Sequence, residues 1–164
     1  MRLRAVPLTA VLAVALLTAC SSDPSSSADG AGRTTTAWYT AGGKDKISSM
    51  VSDATRVIDA VKAMDASGYS QFGLTDLSTR CLVLGHDVKN AEAYTPVPDE
   101  KTQYAWTAAL GQLSQGADAC RDAVHASGDV PAAVTASIST VKSGLANLDT
   151  VLGAVDTSAP SPKG

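Results

Sequence analysis

Three cysteines and two histidines carry the sharpest chemistry in the sequence. Cys81 precedes His86 by five positions, and Cys120 precedes His125 by the same five. Two matched Cys/His pairs could supply the four ligands of a tetrahedral metal site. The same two cysteines without their histidines would make a disulfide instead. His86 also stands beside Asp87, a neighbour that could orient an imidazole for proton transfer. On an outer helix face the two would be no more than a solvated pair. With 13 basic against 16 acidic residues, the net charge is −3 and no basic face is on offer, so nucleic acid is excluded as a partner.

Choosing between these chemistries requires the elements that position them. Four stretches space their apolar residues alternately by three and four. The first runs Ile47, Met50, Ala54, Val57, Val61, Met64; the second Leu74, Leu77, Cys81, Leu84, Val88, Ala91. The third runs Gln103, Trp106, Leu110, Leu113, Ala117, Cys120, Val124; the fourth Val134, Ile138, Val141, Leu145, Leu148, Leu152, Val155. That period belongs to amphipathic helices, and strand alternation fits none of the four. Ser67-Gly68 and Ser127-Gly128 can close the first and third helices, since glycine enters the left-handed region at low cost. Pro96 and Pro98 break the chain between the second and third, where Asp99-Glu100 places negative charge on the new first turn. Asp129 is placed to cap the fourth, with Pro131 in its tolerant first turn. Short connections make successive helices antiparallel neighbours, so the expected fold is all-α, an up-down-up-down four-helix bundle over residues 37–156. Gly85, Gly111, Gly116, Gly144 and Gly153 cut against an ideal bundle, each at up to about 1 kcal/mol relative to alanine. Which of them permit close helix approach is open at this level.

The N-terminus sets the compartment. Arg2 and Arg4 precede an almost wholly apolar run over residues 5–16, the length of a signal-peptide core and short of the ~20 residues that span a bilayer. Leu17-Thr18-Ala19-Cys20 follows directly and resembles the lipobox of bacterial lipoproteins. The resemblance implies that residues 1–19 are removed as a signal peptide and that the Cys20 thiol receives a diacylglyceryl group. The remaining 145 residues, with a net charge of −5, would then stand outside the cytoplasm, held at the cell membrane by palmitate-like chains. Two acyl chains, at ~0.8 kcal/mol per buried CH₂, make a durable anchor. Residues 21–36 are Ser, Gly, Ala, Thr and Asp with one Pro and one Arg, the composition of a flexible tether, and residues 157–164 read as a disordered tail.

With Cys20 given to lipid, Cys81 and Cys120 remain, an even number in an oxidising compartment. Both sit on buried seams of neighbouring antiparallel helices, so a disulfide is the expectation. It needs an extended connection across Thr95–Pro98 to absorb a register mismatch of roughly 10–12 Å between the two helices. The same geometry puts His86 and His125 about 15 Å apart along the bundle and on outward positions, against a metal site.

No seam position holds a carboxylate or histidine of the kind that binds iron or haem in helical bundles. No phosphate-cradling loop or nucleophile elbow is present, and neither a cofactor nor a catalytic residue is assigned. Every Asp and Glu of the four helices falls off the seam and is expected to face water. Trp38 and Tyr39, ahead of the first helix, have no periodic reason to be apolar; they either cover an edge of the bundle or form a contact patch. A Cys in the second helix, Ala93-Tyr94-Thr95-Pro96-Val97-Pro98, then Trp106-Thr107-Ala108-Ala109-Leu110 and Cys120 resemble lipoproteins of high-GC Gram-positive bacteria. That resemblance implies the helical fold and the disulfide, and no activity comes with it. The expected role is a membrane-anchored, non-enzymatic helical module that binds another envelope component or acts structurally. The alternative is a small-ligand or metal-binding lipoprotein serving a transporter.

Overall fold

Helices form where the three-four spacing puts them. In the computed structural model, which describes residues 34–158, α1 spans Lys44–Ser67, α2 Gln71–Glu92, α3 Glu100–Ala123 and α4 Val130–Ser158. The described residues contain no strand. The signal peptide, Cys20 with its lipobox, most of the tether and the end of the tail lie outside the described residues.

Each helix start has a local chemical cause. The Ser70 hydroxyl accepts the Gly73 N–H at 3.1 Å and caps α2. Asp99 caps α3, its carboxylate accepting both the N–H and the hydroxyl of Thr102 at 2.7 and 2.6 Å. Those hydrogen bonds, the hydroxyl's first, hold the Asp99 carboxyl below the usual carboxylate range. Asp129 accepts the Ala132 N–H at 3.1 Å ahead of α4. At the far end of α1, Gly68 takes φ +90° and donates its N–H to the Met64 carbonyl.

Successive helices pack against each other, and α1 also meets α4, which closes the ring into an antiparallel four-helix bundle. The α3–α4 interface is the most extensive. Met50, Val57, Leu77, Leu84, Leu113, Val141 and Leu148 are fully excluded from water along the axis. Burial of each such side chain is worth about 1.5–3 kcal/mol, which is what holds helices of ordinary propensity together.

The helices are unequal, and the bundle has two tiers as a result. Cys81 bonds to Cys120, and Gly85 lies opposite Ala117, so Glu92 at the end of α2 comes level with Leu110. The first ten residues of α3, about 15 Å, therefore rise beyond α2. The connection from Ala93 to Asp99 climbs this distance along α3, with Val97 buried and its N–H bonded to the Gln103 side chain at 2.6 Å. On the other flank, Asn147 donates to Gln112 at 2.8 Å, so the last turns of α4 reach the same upper level.

Residues 34–43 fill the space left over α1 and α2. Residues 34–38 are helical, and Tyr39–Gly43 form a wider turn closed by the Lys44 N–H on the Tyr39 carbonyl. Gly42 kinks this segment at φ +149°, and a Cβ there would stand 2.9 Å from the Tyr94 hydroxyl. The tether therefore stops earlier than composition suggested. Thr35 is buried at 1 % exposure, and residues 34–36 are already helical, so they belong to the fold. At the other end, residues 157–158 continue α4 rather than opening the tail.

Candidate functional site

The two cysteines are a disulfide. Cys81 and Cys120 are fully buried between α2 and α3, with Cα atoms 6.2 Å apart and 39 positions apart in sequence. Their sulfurs are thereby committed to each other rather than to a ligand. Both histidines face solvent: His86 meets the Asn90 side chain at 3.1 Å, and His125 lies beyond the end of α3 in the lower tier. The Cys/His pairs are not brought together. Among the described residues, no group of three or more His, Cys, Asp or Glu side chains is arranged to hold a metal ion.

The structure assembles a polar cluster that the periodicity did not announce. Ser49 and Asp53 lie one turn apart on α1, and Asp87 faces them from α2. The Ser49 hydroxyl donates to Asp87, and Asp53 and Asp87 are themselves hydrogen-bonded. Asp53 is buried at 7 % exposure, contrary to the expectation that every acidic side chain of the helices meets water. The reason is its place beside Met50 and Val57 on the seam, where α1 and α2 approach too closely to leave it outside. Arg56, 3.2 Å away, meets part of its charge. Asp87 corrects the outer-face reading too, since its side chain is only 21 % exposed while the His86 ring beside it is 72 % exposed.

The two carboxyls differ in proton affinity. Burial first, then the hydrogen bond and charge of Asp87, raise Asp53 above the usual carboxylate range, against the pull of Arg56. The Ser49 hydroxyl, with help from Asp53 and His86, holds Asp87 below it despite desolvation. The two titrations are linked, and Asp53 holds its proton more tightly than Asp87. The Ser49 proton is directed at Asp87, so this hydroxyl is engaged in a bridge between α1 and α2. The shallow cleft alongside, about 200 Å³ between Asp45, Lys46, Ser49, Asp87 and Asn90, opens onto a polar bridge between two helices.

The upper tier gathers the aromatic rings. Trp38 lies 5.3 Å from Trp106, edge to face, and 5.9 Å from Tyr94, and its indole N–H donates to the Thr95 carbonyl at 2.6 Å. At 5 % exposure Trp38 is core, which removes it from any surface contact patch; Tyr39 beside it is half-buried against the same core. A groove of about 280 Å³ runs past Tyr94, Pro96, Trp106 and Leu110.

The lower end offers a concavity of about 490 Å³ between α1 and α2, with Ala63, Met64 and Gly73 along it and Arg56, Asp76 and Arg80 among its charges. Phe72, the chain's one phenylalanine, stands at this groove 84 % exposed. Its position outside the helical seam was the available sequence signal. No protein-family model matches the chain, and no curated protein or solved structure is significantly similar to it.

Proposed function

We propose that this chain is a membrane-anchored extracytoplasmic lipoprotein whose helical bundle serves as a non-enzymatic binding or structural module. The observation that carries the reading is the buried Cys81–Cys120 disulfide. Such bonds persist in oxidising compartments and are rare in the cytosol, which supports export by the apolar N-terminus and leaves Cys20 as the cysteine free for lipid. Where the fold spends its polar chemistry supports the second half. The buried or half-buried Asp99, Thr102, Ser137, Asp53 and Asp87 cap helices, bond to helix carbonyls or bridge α1 to α2, so each already has a structural partner.

The test is made in cells. Protein purified from membranes should release an N-terminal peptide beginning at acylated Cys20, and Cys20→Ala should abolish the acyl label and membrane retention. Unacylated Cys20, or an unprocessed residue 1, would refute the anchor. Native mass spectrometry of the same material should show the bare polypeptide plus lipid; a stoichiometric metabolite or metal would move the reading to ligand delivery.

A further inference from the structure

We infer that the upper tier rests against the lipid headgroup layer, with Tyr104 at the contact, and that the Phe72 end points away from the membrane. The inference rests on the lipid-anchor reading and adds an orientation to it. Three observations carry it. First, the described chain begins in this tier, where Trp38 is pinned to Thr95. Only residues 21–33 separate Cys20 from Thr34, a span of at most about 48 Å fully extended and nearer 20 Å for a flexible chain of that length. The bundle beneath is itself about 36 Å long, taking the 24 residues of α3. The average separation therefore favours the upper tier as the end near the bilayer.

Second, the aromatic residues that reach the surface in this tier are tyrosines: Tyr104 is exposed and Tyr39 and Tyr94 are half-buried, while Trp38 and Trp106 fill the core behind them. Rings with one polar end are the side chains that settle at a membrane–water interface. Third, Tyr104 is 80 % exposed in the second turn of α3, on the face opposite buried Trp106. In a helix the Cα–Cβ bond tilts toward the N-terminus, so this ring leans toward the tether's end. By the same rule Phe72, in the first turn of α2, leans toward the other end. The charges preceding Tyr104 on the same turn are mixed, Lys101 beside Glu100, so the contact is amphipathic rather than electrostatic.

The experiment anchors the full mature chain, residues 20–164, through its Cys20 thiol to vesicles of phosphatidylcholine carrying a maleimide headgroup lipid, with the disulfide intact. This fixes attachment chemically, so orientation is read independently of native acylation. Tyr104→Trp and Phe72→Trp each add one exposed indole, and the emission of the parent protein, from buried Trp38 and Trp106, is subtracted. With brominated acyl chains, the added emission at 104 should fall by at least half, while that at 72 is unchanged. Replacing a third of the lipid by phosphatidylglycerol, or raising salt, should leave the contrast in place. Equal quenching at both positions, none at either, or more at 72 would overturn the orientation. Unacylated Cys20 in protein from cells would overturn it separately, through the anchor itself.

Discussion

The α3–α4 interface makes opposite demands on glycines that look alike in the sequence. At Gly116 a Cβ would stand 2.7 Å from Val141 Cγ2 and 2.9 Å from the Val141 backbone nitrogen. At Gly111, one and a half turns earlier on the same helix, it would meet nothing within 4 Å. Alanine improves helix propensity by about 1 kcal/mol at either position. At 111 that gain is uncompensated, so Gly111→Ala should stabilise by about 1 kcal/mol and raise Tm by about 4 °C. At 116 a backbone atom, which cannot rotate away, must retreat, and overpacking of this kind costs about 1–3 kcal/mol or more. Gly116→Ala should therefore be net destabilising by about 1–2 kcal/mol after the propensity gain. Gly144 is the reciprocal contact, 2.7 Å from Leu113 Cγ and 3.1 Å from its backbone nitrogen, and should behave like 116. Urea unfolding followed by far-ultraviolet circular dichroism, with the disulfide intact, measures all three. Stabilisation by Gly116→Ala equal to that of Gly111→Ala would refute the close approach of α3 and α4.

Replacing Asp53 by Asn should raise stability at neutral pH by about 1 kcal/mol, since the amide keeps a hydrogen bond to Asp87 without a second charge. The sign follows from the raised proton affinity of Asp53: its contribution is fully present below the unfolded value of 3.8 and is lost as pH rises through the higher folded value. Relative to the variant, the native protein should therefore lose stability to urea as pH rises from about 4; parallel pH profiles would sink the assignment of the raised proton affinity to Asp53. Removing both Cys81 and Cys120 as alanines should cost about 4 kcal/mol for a bridge across 39 positions, read by the same denaturation, and free-thiol labelling of the unreduced, denatured wild-type chain should find neither cysteine. Trp38→Ala should cost about 3–5 kcal/mol and shift the Trp106 emission to the red as water reaches it; an unchanged emission maximum would mean the upper tier does not depend on residues 34–43.

The lower tier was legible because its determinants are local and periodic. Every position of the first seam, from Ile47 to Met64, is buried, and Cys81 and Cys120 are level as parity and seam placement required. Asp53 was not legible because burial beside a seam depends on how closely α1 and α2 approach, a property of two helices that no single periodicity contains. Trp38 was legible only as one of two alternatives, packing or contact, and it packs. It lies outside any repeating pattern, and its place depends on how far α3 overshoots α2. The five glycines could be flagged from composition, but only the helix crossing distinguishes Gly116 and Gly144 from Gly111 and Gly153.

The overshoot also explains why the aromatics collect where they do. Where α2 stops at Glu92, the interior flanked by α3 and α4 loses one wall, and a climbing connection of seven residues cannot supply helical side-chain density there. Large rings fill more volume per residue than aliphatic side chains, and Trp38 brings a hydrogen-bond donor that the exposed carbonyl of Thr95 can use. The plug must come from residues that are not part of a bundle helix, and residues 34–43 are free to fold back because Gly42 turns at φ +149°. On the lipoprotein reading, the segment nearest the anchor is thus part of the core. Tension on the chain between membrane and bundle would bear first on the Trp38–Thr95 hydrogen bond and the rings around it, while the disulfide-stapled lower tier, with Phe72 at its outer end, remains folded.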